Sequence, residues 1–352
     1  MSYNRRKTRE VAIGDKKIGN FNPILVQSMT NTDTRDAKAT ISQIKGLEEV
    51  GCDIIRVAVP DMQAAENLGE IKKNIKIPLI ADIHFDYRLA IESIKQGVDG
   101  IRINPGNIGD IDRVRQIVEG CKERNLKIRI GVNGGSLEKN ILLKYGSATA
   151  EALVESAMEH IKILEDLDFY NTVVSLKSSD LFKTVEAYRL ISQKVDYPLH
   201  IGITESGGVR KGTIKSSIGV GSLLLDGIGD TLRISLTGDP REEVKVGKEI
   251  LRSLGILNDK IKIISCPTCG RCNIDLIRIA TEVEKRIENI NSNIVVAIMG
   301  CAVNGPGEAR EADIGIAGGK GNGLLFKKGE IIRKIDDENL VEELIDEIQK
   351  MI

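Results

Sequence analysis

From residue 23 onward, short runs of β-branched and aliphatic residues alternate with longer stretches in which apolar side chains return every three or four positions. The first pattern suits buried strands and the second amphipathic helices, and their alternation at intervals of about 25 residues is that of a parallel sheet built from βα units. Eight strands are expected, over 23–29, 53–59, 78–83, 99–104, 127–133, 171–177, 198–204 and 230–237, each followed by a loop and a helix. The segment 149–167 illustrates the helices. Thr149 can cap its start, Glu151 suits the positive helix end, and Leu153, Ala157, Ile161 and Leu164 form one apolar stripe.

Eight such units, with a last helix ending near Gly255, match the usual length of a (β/α)8 TIM barrel, whose active site lies at the C-terminal ends of its strands. An open doubly wound sheet is the alternative, and eight units favour closure. After residue 260 the pattern changes to a strand over 261–265, a cysteine-bearing loop, a helix over 274–290 and a strand over 293–299. A glycine-rich loop, two more short strands and a helix over 338–352 complete it. The expected architecture is therefore α/β: a TIM-barrel substrate-binding domain over 1–258, then a small α+β domain over 259–352.

Composition narrows the function classes. A formal charge of -1 and only 3% aromatic residues argue against a nucleic-acid-binding surface, so any anion site must be local. The first 19 residues lack the apolar core of a secretory signal, and the longest apolar runs, such as 294–299, are too short to span a bilayer. A cytoplasmic protein is expected, without membrane or nucleic-acid partners.

The strand ends carry an unusual polar set: Arg56; Asp82 and His84; Arg102 and Asn104; Arg129 and Asn133; Lys177; His200 and Glu205; Arg233 and Ser235. Any one strand-end cation could simply reach solvent. Five facing one another are different, because two unit charges ~8 Å apart repel by roughly 2 kcal/mol at an effective dielectric near 20, a cost that a bound anion relieves. Arginine forks match phosphate oxygens two at a time, so a diphosphate suits this ring better than one carboxylate. Asn104, Asn133 and Ser235 add neutral donors, and the glycine-rich turns at 104–109, 133–136 and 207–208 allow close backbone approach. Among these cations Glu205, His84 and Asp82 are the candidate acid–base groups. His200 is read either as structural or as functional, and His160, inside a helix, as a surface or packing residue.

Six cysteines in a reducing compartment do not suggest a disulfide framework, and Cys266, Cys269, Cys272 and Cys301 crowd into the C-terminal module. A loop-borne C-x2-C with a remote cysteine after the next strand is a metal pattern. Spacing alone leaves zinc and a [4Fe–4S] cluster open. Cys52 and Cys121 fall in barrel elements and read as small buried hydrophobes.

The segments 26-VQSMTNTDT-34, 51-GCDIIRVAVPD-61, 81-ADIHFDYRLA-90, 101-IRINPGNIG-109, 129-RIGVNGGSLEK-139, 220-VGSLLLDGIGDTLRISLTGDP-240, 264-ISCPTCGR-271 and 299-MGCAVNGPGEAREADIGIAGG-319 carry a resemblance over nearly the whole chain. The sequence closely resembles the bacterial 4-hydroxy-3-methylbut-2-enyl diphosphate synthase (HMBPP synthase, IspG/GcpE) family of the non-mevalonate isoprenoid route. The resemblance implies an iron–sulfur oxidoreductase that opens and dehydroxylates 2-C-methyl-D-erythritol 2,4-cyclodiphosphate with two electrons. It implies a [4Fe–4S] cluster on Cys266, Cys269, Cys301 and Glu308, which makes 259–352 the cluster domain. It also implies flavodoxin or ferredoxin as donor, and a homodimer with the active site between subunits. Cys272 departs from the family pattern and is expected to be dispensable for the cluster. Two other readings compete: a non-redox barrel enzyme acting on a phosphate or pterin ester, of the dihydropteroate synthase outline, with zinc in the C-terminal module; and an electron carrier or RNA-binding module fused to a structural barrel.

Overall fold

The computed structural model describes residues 4–301, 309–319 and 321–352. The chain divides into two compact units, Met1–Leu254 and Gly255–Ile352.

The first unit opens with a hairpin that the strand pattern from residue 23 does not include. Strands β1 (Val11–Ile13) and β2 (Lys16–Ile18) pair antiparallel about Gly14 and Asp15, with Gly14 at φ +55°. A Gly-Asp pair between apolar alternations is itself a two-residue hairpin signal. Val11, Ile13 and Ile18 pack with Leu25, Ile54, Ile80 and Val173, close to the N-terminal ends of the barrel strands. That end is thus filled with aliphatic side chains.

The barrel strands are β3 (Leu25–Met29), β4 (Ile54–Ala58), β5 (Leu79–Asp82), β6 (Gly100–Ile103), β7 (Lys127–Asn133), β8 (Thr172–Lys177), β9 (His200–Ile201) and β10 (Thr231–Leu232). They form one parallel sheet in the order β8-β7-β6-β5-β4-β3-β10-β9, and a parallel bridge between Val174 and Leu199 brings its two ends together. All eight expected strands exist, but the last two are shorter than their sequence runs. Beyond Ile201 and Leu232 the ladder lapses, and after β9 the backbone turns out of the extended region at Glu205, φ +52°, and Gly207, φ +93°. Gly208 and Thr237 still meet in an isolated bridge.

Most of the barrel helices start on a side-chain cap. Asp36, Asp61, Asp86, Asp110, Asp180 and Asp239 each accept a backbone N–H of the first helical turn, and Thr149 does so for Ala150–Glu165. The stripe of Leu153, Ala157, Ile161 and Leu164 is buried as expected. His160 is only 2% exposed, so it is a packing residue and not a surface one. Cys52 and Cys121 are buried, and burial pushes both thiols up to about 12, which leaves them inert at neutral pH.

The second unit has a five-stranded sheet in sequence order: β11 (Lys262–Ser265), β12 (Val295–Met299), β13 (Ile314–Gly318), β14 (Asn322–Lys327) and β15 (Glu330–Asp336). The first three are parallel and the last two antiparallel. Three strands follow the glycine-rich segment where two were expected. The extra one, β15, is an edge strand with six of its seven residues exposed, so it carries no alternation of apolar and polar positions. Helices Leu276–Ile287 and Leu340–Gln349 lay Leu276, Ile279, Val283, Leu344 and Ile348 on Val296, Ile298, Ile314 and Ile316 to make the core.

Candidate active site

Alternation along the barrel strands sends every second side chain to the interior, and the parallel register fixes which of them meet. Asp82 lies beside Arg102, Arg102 beside Arg129, and Asn133 beside Lys177. Two arginines as direct cross-strand neighbours repel each other. The strand ends therefore gather charge of one sign before any ligand is considered.

A cavity of about 240 Å³ at this end is lined by Arg56, Asp82, His84, Arg102, Arg129, Asn133, Lys177, Arg233 and Ser235, together with Ser175 and Thr204. A wider one of about 850 Å³ shares His84, Arg102, Asn133, Lys177 and Thr204 with it and adds Asn104, Glu205, Phe85 and the turn Gly134–Ser136. The mouth thus collects every barrel residue singled out from the strand ends, except His200. Thr204, Ser175 and Phe85 line it without having been singled out.

Few carboxylates answer the cations. Asp82 is reached by Arg102 Nη1 at 3.2 Å and Arg56 Nε at 3.5 Å, with His84 Nε2 at 3.7 Å. Arg233 lies 3.6 Å from Glu243, and Arg129 Nη1 donates to the neutral Gln27 Oε1 at 2.7 Å. Lys177 has no carboxylate at ion-pair distance among the described residues. Burial favours the ionised form of none of these groups, yet Arg56, the His84 hydrogen bond, Arg102 and Arg129 hold the Asp82 carboxyl well below its usual range.

The cations respond in the opposite sense. Burial, assisted by Arg233 and Arg102 and only partly countered by Asp82, pushes Arg56 down to about 10. Burial and then the neighbouring arginines push Arg129 and Lys177 well below their ordinary values. An anion in the cavity would oppose these shifts by attracting the charged forms. His200 lies deeper, 1% exposed, its Nδ1 within 2.8 Å of Thr231 Oγ1 and its Nε2 without a hydrogen-bond partner among the described residues. Burial and then Arg129 and Lys177 drive its protonation far down, so it is a neutral imidazole under the cations.

Glu243 escaped the strand-based reading because it comes from the helix Pro240–Ser253. It is 5% exposed, holds the Leu236 N–H at 2.9 Å and faces Arg233. Its signal is a carboxylate in the apolar register of an amphipathic helix, beside Val244, Gly247 and Ile250. The buried His160 stands 2.9 Å from Glu138 Oε1, and this contact, against the opposing effect of burial, helps hold the Glu138 carboxyl down at about 2.

Two family models match in succession: the GcpE TIM-barrel domain over residues 8–248 and the GcpE protein C-terminal domain over residues 262–350. The chain belongs to the GcpE family. Its GcpE relatives include a Clostridium acetobutylicum protein, 63% identical over 99% of each chain, and one of Caldanaerobacter subterraneus subsp. tengcongensis, 63% identical over 99% of this chain and 98% of that one. A third, from Geobacter sulfurreducens, is 58% identical over 99% of each. All three carry the name 4-hydroxy-3-methylbut-2-en-1-yl diphosphate synthase (flavodoxin). Among solved structures, a dihydropteroate synthase from Stenotrophomonas maltophilia superposes with a TM-score of 0.51 at 11% identity, over 70% of this chain and 98% of that one, a likeness of barrel fold alone.

In the GcpE C-terminal unit, Cys266 follows β11 and Cys301 follows β12, so both leave the same edge of two paired parallel strands. Cys269 and Cys272 sit in the loop between β11 and the first helix of that unit, and Cys269 is exposed. Cys266 Sγ accepts the Gly300 N–H at 3.2 Å. Cys272 differs in its bond, its thiol donating to Ile274 O at 3.2 Å, while both side chains pack against the core. Thiolates at Cys266 and Cys301, after paired strands, and at Cys269 in the following loop would suit a soft metal group. Among the described residues, no three His, Cys, Asp or Glu side chains are drawn together as a metal site. Glu308, the remaining expected ligand, lies outside the described residues.

Proposed function

We propose that this chain is a 4-hydroxy-3-methylbut-2-enyl diphosphate synthase, an iron–sulfur oxidoreductase of isoprenoid synthesis that acts on 2-C-methyl-D-erythritol 2,4-cyclodiphosphate. The observation that carries this reading is the excess of cations at the barrel mouth: four buried, Arg56, Arg102, Arg129 and Lys177, and the half-buried Arg233, against Asp82 and Glu243 within ion-pair reach among the described residues, in a chain that is itself nearly neutral. Such an excess is stable only with a polyanion, and the relatives are named for a diphosphate product.

In this reading Arg56, Arg102, Arg129, Lys177 and Arg233 grip the two phosphates, while Asn104, Asn133 and Ser235 orient the five-carbon ring. Asp82 fixes Arg102 and Arg56 and faces His84. The net change takes up two electrons and two protons, breaks one ring C–O bond and releases one hydroxyl as water. Glu205 and His84, both lining the wider cavity, are the groups placed to hold the proton for that oxygen. A [4Fe–4S] cluster on Cys266, Cys269, Cys301 and Glu308 would supply the electrons one at a time. Flavodoxin is the proposed donor, as in the relatives' names, and a cytoplasmic homodimer sharing its sites between subunits the proposed assembly.

Two experiments test this assignment. Calorimetric titration with the cyclic diphosphate should show Arg129→Met and Lys177→Met weakening binding about tenfold or more each, the loss of one charge-assisted contact. Unchanged affinity in both would remove the cationic mouth from the account. Cys272→Ser should keep the wild-type iron and sulfide content per chain, whereas a halved content would make Cys272 a ligand.

A further inference from the structure

The guanidinium groups of the mouth are not held alike. Arg129 donates to an amide oxygen at 2.7 Å, and Arg102 to Gly131 O at 3.1 Å and Asp82 at 3.2 Å. Arg56 and Arg233 have no such oxygen among the described residues: the carboxylate oxygens they face stand at 3.5 and 3.6 Å. What both touch is sulfur. Arg56 donates to Met29 Sδ through Nε at 3.2 Å and Nη2 at 2.9 Å, and Arg233 Nη1 points at the same atom at 3.7 Å. Arg233 Nε has no hydrogen-bond partner among the described residues.

Met29 ends β3 and is half-buried, so its side chain sits between two strand-end arginines that flank it on β4 and after β10. A thioether is a weak, polarisable acceptor that keeps a donor in place without satisfying it. An oxygen acceptor at the same position would satisfy it, and a phosphate oxygen would then have to compete.

Resting on the diphosphate reading above, we infer that Met29 sets the anion affinity of the mouth: its sulfur positions Arg56 and Arg233 by contacts that are surrendered to phosphate oxygens. Met29 is a positioning residue acting through the two arginines. A stronger acceptor here would hold the two arginines against the phosphate oxygens. Leucine keeps the bulk and loses the weak contact; glutamine keeps the length and gains an oxygen.

The test compares wild type, Met29→Leu and Met29→Gln by titration with inorganic pyrophosphate and by steady-state turnover of the cyclic diphosphate. The expected order of Kd is wild type below Leu below Gln, about threefold for Leu and about tenfold or more for Gln, with KM following Kd and kcat changing less than KM. A Gln chain that binds as tightly as Leu or wild type overturns the inference, because acceptor strength would not matter. If thermal melting shows that Met29→Gln does not fold, Met29→Asn, whose Oδ1 stands as many bonds from the backbone as the sulfur, takes its place with the same expected order and the same overturning result. Wild type that binds neither pyrophosphate nor the cyclic diphosphate would instead sink the diphosphate reading itself.

Discussion

Gly131 shows how tightly the mouth is drawn around its cations. A Cβ at this position would lie 2.3 Å from Arg102 Nε, so the missing side chain is the space in which the guanidinium lies while it donates to Gly131 O. Gly131→Ala is expected to expel Arg102 and lower kcat/KM more than about tenfold while circular dichroism stays that of the native fold. Lys127, one turn of the alternation below Arg129, carries a different consequence. Burial, then Arg129, lowers its pKa to about 7 against only weak help from Asp99, whereas the free side chain has 10.5. The unfolded chain thus binds more protons between those values, and stability rises with pH across that window. Lys127→Met should raise the melting temperature by more near pH ~6 than near pH ~9; an equal or opposite shift would contradict the burial of a titrating amine. The inward cations were legible in the sequence, because a period of two and eight repeated units assign them one end and one face. Glu243, Gln27 and His160 were not, since each is buried by a partner distant in sequence: Arg233, Arg129 and Glu138.

At the level of elements, the β1–β2 hairpin fills the barrel end opposite the cationic mouth. Ile13 is 1% exposed within the cluster of Ile54, Ile80 and Val173. Ile13→Ala is expected to cost about 2–5 kcal/mol, read as a lower denaturant midpoint at unchanged slope. A cost under ~1 kcal/mol would mean that the hairpin merely leans on the barrel. The cap read at Thr149 forms as its chemistry requires, and Asp36, Asp61 and Asp239 start their helices in the same way. The extents of β9 and β10 were not legible, because the apolar runs continue past Ile201 and Leu232, where the ladder pairing ends. Strand β15 was invisible for the converse reason: an exposed edge imposes no pattern.

Across the whole molecule, a formal charge of -1 conceals a strongly basic cavity, because surface carboxylates balance cations that the barrel turns inward. Charge counted along the sequence says nothing of this; charge placed on the register does. The barrel and the cysteine-bearing unit each have their own core, and each carries one half of the proposed chemistry, anion grip in one and thiol ligands in the other. The cysteine pattern by itself left zinc and iron–sulfur open, and the GcpE match over both units is what favours the second. The central claim is that both halves serve one reaction. Its most direct test is anaerobic turnover of 2-C-methyl-D-erythritol 2,4-cyclodiphosphate by cluster-reconstituted protein with a strong one-electron reductant, with iron and sulfide assayed on the same sample. The account predicts 4-hydroxy-3-methylbut-2-enyl diphosphate in proportion to cluster content, and none after the iron is chelated away. Protein with full cluster occupancy that binds the cyclic diphosphate yet leaves it unchanged would contradict it.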